Sequence, residues 1–439
     1  MSEKVDILVL GATGFTGRLI TRYLANHPQK AHFTLALGAR TASKLKAVVE
    51  EYGLQDSVKL ISVDVTNPQD VENAVKQTKV VINTVGPYWS WGTPVVRACV
   101  RNSVHYVDLT GETAWVKQII REFDFFATKT GSIIVPSCGF DSIPSDISAH
   151  LANKTLRALQ LYPGTSTSSQ LMKGGVSGGT LSSMFTIFEK VPIRLLKESS
   201  MPFSLSPFIG IIRPEFKAIY KLPILGEKTL VGGPFVMAPT NKHVVQRTWG
   251  LLEYGAREKR TKEAELLRYG PDFSYDEFSQ TKTVVSALVL TTALIIGFGA
   301  LVISPIRAIL KKVLPQPGEG PSESVMENGF LKLTNITSAA SSPDVQAKTV
   351  IRGKGDPGYS LTAVMIAESA LCFILPPVSE AQNLKPAGQN NMVHALPPLA
   401  RQGGILTPMV AFGDTLIKRL EDTGKFTFSS SIVGQSKSD

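Results

Sequence analysis

Cysteine is nearly absent. Three residues, Cys99, Cys138 and Cys372, in 439 cannot build a disulfide framework and point to a reducing compartment. The six histidines show no HExxH spacing, and three scattered cysteines make no zinc site, so no metal centre is expected. The first apolar run has only a strand's length, which argues against a secretory signal; the sequons at Asn153 and Asn335 are then not expected to be glycosylated. Acidic residues are the scarcer sign: 46 Lys and Arg against 36 Asp and Glu give a formal charge of +10. The basic residues are dispersed and no nucleic-acid module is evident, so an anionic lipid surface fits the charge better than DNA or RNA. Charge is missing altogether from 283 to 306.

What is present starts at once. Val5–Leu10 is a short apolar run, followed by Gly11-Ala12-Thr13-Gly14-Phe15-Thr16-Gly17 and a helical pattern from Arg18 to Asn26. Strand, tight turn and helix N-terminus form a cradle for a pyrophosphate. Gly11 lets the chain turn, Gly14 removes the Cβ that would block phosphate, and Gly17 lets helix and strand approach. Thr13, Phe15 and Thr16 complete the turn whose N–H groups face the anion.

The second strand, 33–39, ends at Arg40 with Lys44 beyond it, where an NAD site would carry Asp or Glu. A guanidinium grips a 2′-phosphate that a carboxylate would repel, so NADP is favoured and NAD stays open. Strand 58–63 ends at Asp64, placed beside the adenine or as a cap for the helix near Asn67 and Pro68. Strand 80–85 leads to Gly86, Pro87 and Tyr88, a helix is predicted over 93–102, strand 104–109 carries Asp108, and a helix over 114–129 precedes strand 132–136. Such alternation predicts a Rossmann-type doubly wound parallel sheet, α/β in class. Ligands in such folds bind beyond the carboxyl ends of the strands. Gly86, Pro87, Tyr88, Asp108, Gly111, Glu112, Cys138, Gly139 and Asp141 should therefore surround one crevice.

Together with Ala39-Arg40, the runs Tyr106–Glu112, Cys138–Asp146, Gly178-Gly179-Thr180, Gly355–Tyr359 and Gly403–Pro408 resemble the saccharopine dehydrogenase-like oxidoreductases, over most of the chain. The resemblance implies NAD(P)-dependent hydride transfer and a link to the trans-acting enoyl reductases of glycolipid synthesis. It also implies association with lipid droplets and membranes, facing the cytosol.

The division expected is a cofactor domain over 1–150 and an α+β substrate domain over 151–439. In the second, strands are predicted at 165–176, 246–254, 330–337 and 345–352, and helices at 178–189, 359–374 and 407–419, the last returning the C-terminus to the body. Residues 315–328 read as a surface linker and 381–391 as a loop. The stretch 284–303 has the length of a membrane span, and twelve of its twenty residues are Leu, Ile, Val or Phe. These favour lipid insertion by about 5 kcal/mol before polar residues subtract. A full crossing would separate two parts of one catalytic unit, so the alternatives are a re-entrant shape, an interfacial helix, or a buried core helix.

Tyr88 and Asp108 are the candidate catalytic residues; Tyr88 could instead pack on the cofactor ring and Asp108 hold its loop. Cys138 reads as a packing residue, His105 as structural, and Asp141 as the cap of the helix near Ser142 and Pro144. The expected function is NADP-dependent hydride transfer to or from a hydrophobic substrate at a lipid droplet or membrane. A soluble saccharopine-type amino-acid reductase and a non-catalytic cofactor-binding lipid-droplet protein are the alternatives, and homo-oligomer formation stays open.

Overall fold

The computed structural model describes residues 4–55, 57–175, 177–213, 217–314, 316, 318–382 and 384–433. It holds β1 (Val5–Leu10), β2 (Leu35–Ala39), β3 (Val58–Ser62), β4 (Thr78–Asn83), β5 (His105–Asp108), β6 (Ile133–Val135), β7 (Pro163–Lys173), β8 (Tyr220–Leu222), β9 (Leu230–Pro234), β10 (Ser274–Thr281), β11 (Phe330–Ala339), β12 (Gln346–Lys354), β13 (Gly404–Ile405) and β14 (Phe426–Ile432). The first sheet runs β13-β6-β5-β4-β1-β2-β3, and all its pairs are parallel. The order reverses between β1 and β4, which opens a crevice at their carboxyl ends. Unbroken burial of β1 and β2 explains their runs without polar alternation, since helices cover both faces.

The second sheet runs β14-β12-β11-β7-β10-β9-β8 and is antiparallel except where β7 meets β10. Helix Ile143–Arg157 starts behind β6 and lies on this sheet, so the change of lobe occurs inside one helix rather than at a linker. The two residues of β13 carry the C-terminal region back to the first sheet.

Several expectations are corrected. Residues 246–254 lie in helix Ala238–Lys259, not in a strand: Val245, Thr248, Trp249, Leu252 and Ala256 recur every three or four residues and are buried. Helix Tyr88–Arg101 starts five residues before the expected Thr93, and Pro94 sits inside it. The Glu112 carboxylate draws that start forward by accepting from the N–H groups of Tyr88 and Trp89. The helix expected over 407–419 is two, Pro408–Phe412 and Asp414–Asp422, broken at Gly413, whose φ of +52° suits glycine. Pro357–Leu361 forms one wide turn before helix Thr362–Leu371. Strand β7 ends at Lys173, and Val176 lies outside the described residues, as do Pro315 and Pro317 of the predicted linker. The rest of that linker is more than a connection: it carries helix Glu323–Glu327 and seats Gly320 on the Phe15 ring.

Helix Val284–Val302 packs only one edge on the body, through Ala287, Thr291 and Leu301. The buried-core alternative does not hold for it: Val285, Val289, Ile296 and Val302 are each at least 65% exposed. Helix Ser304–Val313 follows and exposes Ile306, Ile309 and Val313 beside Lys311 and Lys312. Strand β7, before these helices, pairs with β11, after them, so both flanks of the apolar segment lie on one side.

Candidate cofactor and substrate crevice

The glycine turn has the geometry an anion needs. Gly11 has φ +89°, and a Cβ there would stand 2.6 Å from the Thr84 hydroxyl. At Gly17 a Cβ would lie 2.1 Å from the Gly11 carbonyl oxygen, so only glycine lets the helix pack on this strand. A Cβ at Gly14 would meet nothing nearer than 3.3 Å, which leaves its outer side open. Among the described residues the backbone N–H groups of Thr13, Phe15, Thr16 and Gly17 have no protein acceptor. These orphan donors, at the positive end of helix Phe15–Ala25, fit a pyrophosphate.

At the adenosine end Arg40 leaves β2 exposed, and Lys44 stands in the first turn of helix Ala42–Tyr52. Neither side chain forms an ion pair among the described residues, so both can meet a 2′-phosphate. Asp64 caps its own turn by accepting from the N–H and hydroxyl of Thr66, which holds its carboxyl below the usual range. The cap of helix Pro68–Val75 is Asn67 instead, accepting from Gln69 N at 3.0 Å.

Gly86, cis-linked Pro87 and the loops after β5 and β6 lie at the carboxyl ends of the neighbouring strands. Tyr88 and Asp108, the two catalytic candidates, are both buried and both consumed by the scaffold. The Tyr88 hydroxyl donates to the Asn83 carbonyl at 2.9 Å and accepts from Leu109 N at 3.2 Å. Asp108 accepts from the N–H groups of Thr110 and Ser137, each at 2.9 Å, and from the Tyr106 hydroxyl at 2.8 Å. Burial raises both groups, Asp108 to about 7. Neither presents a free polar atom to the crevice. Cys138 is buried with its thiol pushed up by desolvation, and burial takes His105 down to about 4.

A roof closes over these loops. Helix Gly178–Lys190 brings Ser183 to Gly86, within 3.5 Å of where a Cβ would stand, and to the Glu112 carboxyl. Its start is tied down by Tyr359, whose hydroxyl meets Ser177 N and, at 2.9 Å, the Thr180 hydroxyl. The Tyr359 ring stands edge-on to Phe15 at 5.3 Å. Asp356 locks the same corner by accepting from Gly175 N and Tyr359 N.

The inner wall comes from the second lobe. Glu277 on β10 is fully buried and accepts from Ser145, Asn241, Tyr275 and Gln170 at 2.6–3.3 Å. Asp141 does not cap helix Ile143–Arg157: its carboxylate has no protein donor among the described residues. One of its oxygens lies 3.9 Å from where a Cβ of Gly111 would stand. Burial first, then the charge of Glu277, push Asp141 up to about 6. Glu277, Asn241 and Tyr359 were not among the expected site residues. Asn241 and Glu277 lie in polar runs (Thr240–His243 and Ser274–Thr281) that mark neither of them out, and Tyr359 is flagged only as the end of the Gly355–Tyr359 run.

Comparison with known proteins agrees with this geometry. Residues 7–135 match the saccharopine dehydrogenase NADP binding domain. Trans-acting enoyl reductases of Mycobacterium bovis and Mycobacterium tuberculosis are each 30% identical over 444 residues, aligned over 96% of this chain and 97% of theirs. That of Mycobacterium ulcerans is 29% identical over 451 residues. The apo structure of saccharopine dehydrogenase (L-Glu forming) from Saccharomyces cerevisiae superposes with a TM-score of 0.52 at 13% identity, covering 98% of this chain and all of that one. The last is a likeness of fold.

Proposed function

The chain belongs to the saccharopine dehydrogenase-like oxidoreductases, and we propose that within this NADP-binding family it reduces an enoyl or carbonyl group of a hydrophobic acyl substrate at a lipid surface. The N–H groups of Thr13, Phe15 and Thr16 would hold the pyrophosphate, Arg40 and Lys44 the 2′-phosphate, and Gly86 and Pro87 the nicotinamide end. The reduced nicotinamide supplies hydride when bound; the protein supplies orientation and a proton.

The observation that carries the lipid reading is the exposed face of helices Val284–Val302 and Ser304–Val313. Both flanks lie on one side, so the segment rests in the interface or dips and returns. Each apolar side chain that enters lipid contributes about 1.5–3 kcal/mol. Lys312 adds about 1 kcal/mol at an anionic surface, while Lys311 is paired with Glu189 at 2.6 Å. A monolayer around a lipid store needs no crossing. A soluble monomer rarely leaves so much apolar surface in water.

The test is NADPH consumption by the full chain with α,β-unsaturated acyl thioesters and aldehydes of increasing chain length, with and without anionic vesicles. The reading expects turnover that rises with chain length and with vesicles. Turnover only of an imine formed between an amino acid and an aldehyde would transfer the protein to amino-acid reduction. Tight NADPH binding without turnover of any substrate would make it a cofactor-binding lipid-surface protein.

A further inference from the structure

Reduction of a conjugated double bond or a carbonyl needs one proton for each hydride, and the residues at the strand ends narrow its source. Tyr88 and Asp108 spend their polar atoms on the scaffold. Glu112 spends both carboxylate oxygens on the N–H groups of Tyr88 and Trp89. Cys138 is fully buried. Asp146 is buried too and accepts from the Thr248 hydroxyl and Met409 N. Asp141 alone among these keeps a carboxyl without a protein donor, on a residue that is only half-buried, beside Gly111 in the crevice.

We propose that Asp141 is the proton donor of the reduction, its free carboxyl set beside the buried Glu277 in the crevice wall. This rests on the reductase reading above. Four donors converge on Glu277, from Ser145, Asn241, Tyr275 and Gln170, which is the environment of a carboxylate. Burial raises Glu277 as well while its four donors oppose that, and a second negative charge beside either carboxyl is disfavoured, so the pair holds a proton more readily than an isolated Asp. The loops are fixed to each other: the Ser142 hydroxyl donates to Asn241, and Asn241 donates to Glu277. Glu277 is the charged group that faces Asp141; the other neighbours, Gly111 and Met237 from their own elements and Asn241, are neutral. Burial and this charge together bring Asp141 to about 6, near the working range of a general acid.

For an enoyl substrate the step balances as follows. Hydride from NADPH adds to the β-carbon, and the π pair passes through the α-carbon to the carbonyl oxygen. The Asp141 O–H bond breaks and its proton forms the new bond at the α-carbon. The double bond is reduced, NADPH is oxidised to NADP+, and water reprotonates the Asp141 carboxylate.

Two measurements test this on the full-length chain. In the first, Asp141→Asn should lower kcat 10²- to 10⁴-fold. It should leave the NADPH Kd within twofold and remove the alkaline limb of the kcat/KM profile; Asp141→Glu should restore part of the rate. In the second, carboxyl carbons are followed by NMR against pH in the protein without cofactor. Asp141, assigned by its loss in Asp141→Asn, should titrate well above an ordinary Asp, and Glu277→Gln should lower its titration while leaving it above that of an ordinary Asp. An Asp141→Asn protein that keeps its rate and pH profile overturns the proposal, and so does an Asp141 that titrates as an ordinary surface Asp. Absence of turnover in the wild type, with the elevated titration intact, overturns the reductase reading on which the assignment rests.

Discussion

The Cα of Gly17 lies so close to Gly11 that a Cβ there would stand 2.1 Å from the Gly11 carbonyl oxygen. No side-chain rearrangement relieves this contact, because both partners are backbone. Gly17→Ala must push helix Phe15–Ala25 away from β1 and misalign the N–H groups at its start. The expected cost is about 1–3 kcal/mol of stability and at least a tenfold weaker NADPH Kd. Thermal unfolding and NADPH titration of the variant check both.

Arg40 is exposed at the end of β2 with no ion pair among the described residues. Arg40→Asp should weaken NADPH by 10- to 100-fold, about 1.4–2.8 kcal/mol, and weaken NADH far less. Competition titration with the two cofactors measures the ratio. Equal loss for both would place the 2′-phosphate elsewhere.

Asp108 makes stability depend on pH in a direction opposite to most carboxylates. Burial raises it in the folded protein to about 7, against an ordinary value near 4. The folded state therefore holds a proton that the unfolded state releases between pH 4 and 7. The stabilisation is full below pH 4 and is lost as pH rises through 7, by up to about 1.4 kcal/mol per pH unit. Asp108→Asn removes this slope. Denaturant unfolding of both proteins at pH 4.5, 6 and 7.5 should show the difference between them shrinking as pH rises.

Much of the first sheet was legible because its strands are short apolar runs separated by helical patterns, and because Gly11, Gly14 and Gly17 are spaced for one purpose. The end of β2 at Arg40 was legible for the same local reason. Local signals misled at 246–254, where Thr248, Trp249 and Tyr254 suit a strand; burial on three-to-four spacing settled a helix. The start of helix Tyr88–Arg101 was hidden because its cap, Glu112, lies 24 residues on from Tyr88. The roof and inner wall were least legible. Tyr359 meets Thr180 across 179 residues, Gly320 meets Phe15, and Glu277 meets Ser145 across 132. Such contacts leave no local pattern. Asp141 was visible as a residue at a strand end, but its freedom from capping was not.

The exposed apolar face gives a physical test of location. Replacing Val285, Val289 and Ile296 together by Ser keeps the helix edge that packs through Ala287 and Thr291. The triple variant should stay folded and lose vesicle flotation at least tenfold, whereas Lys312→Gln should reduce flotation on anionic vesicles only. Unchanged flotation of the triple variant would assign the surface to another role.

The most direct measurement is isotope transfer. The full chain is incubated with NADPH deuterated on the transferring face of C4 and a long-chain enoyl thioester, and the product is read by mass spectrometry. The account predicts a saturated product carrying one deuterium at the β-carbon and one solvent-derived hydrogen at the α-carbon. A protein that binds NADPH and leaves every acyl substrate unlabelled would contradict it.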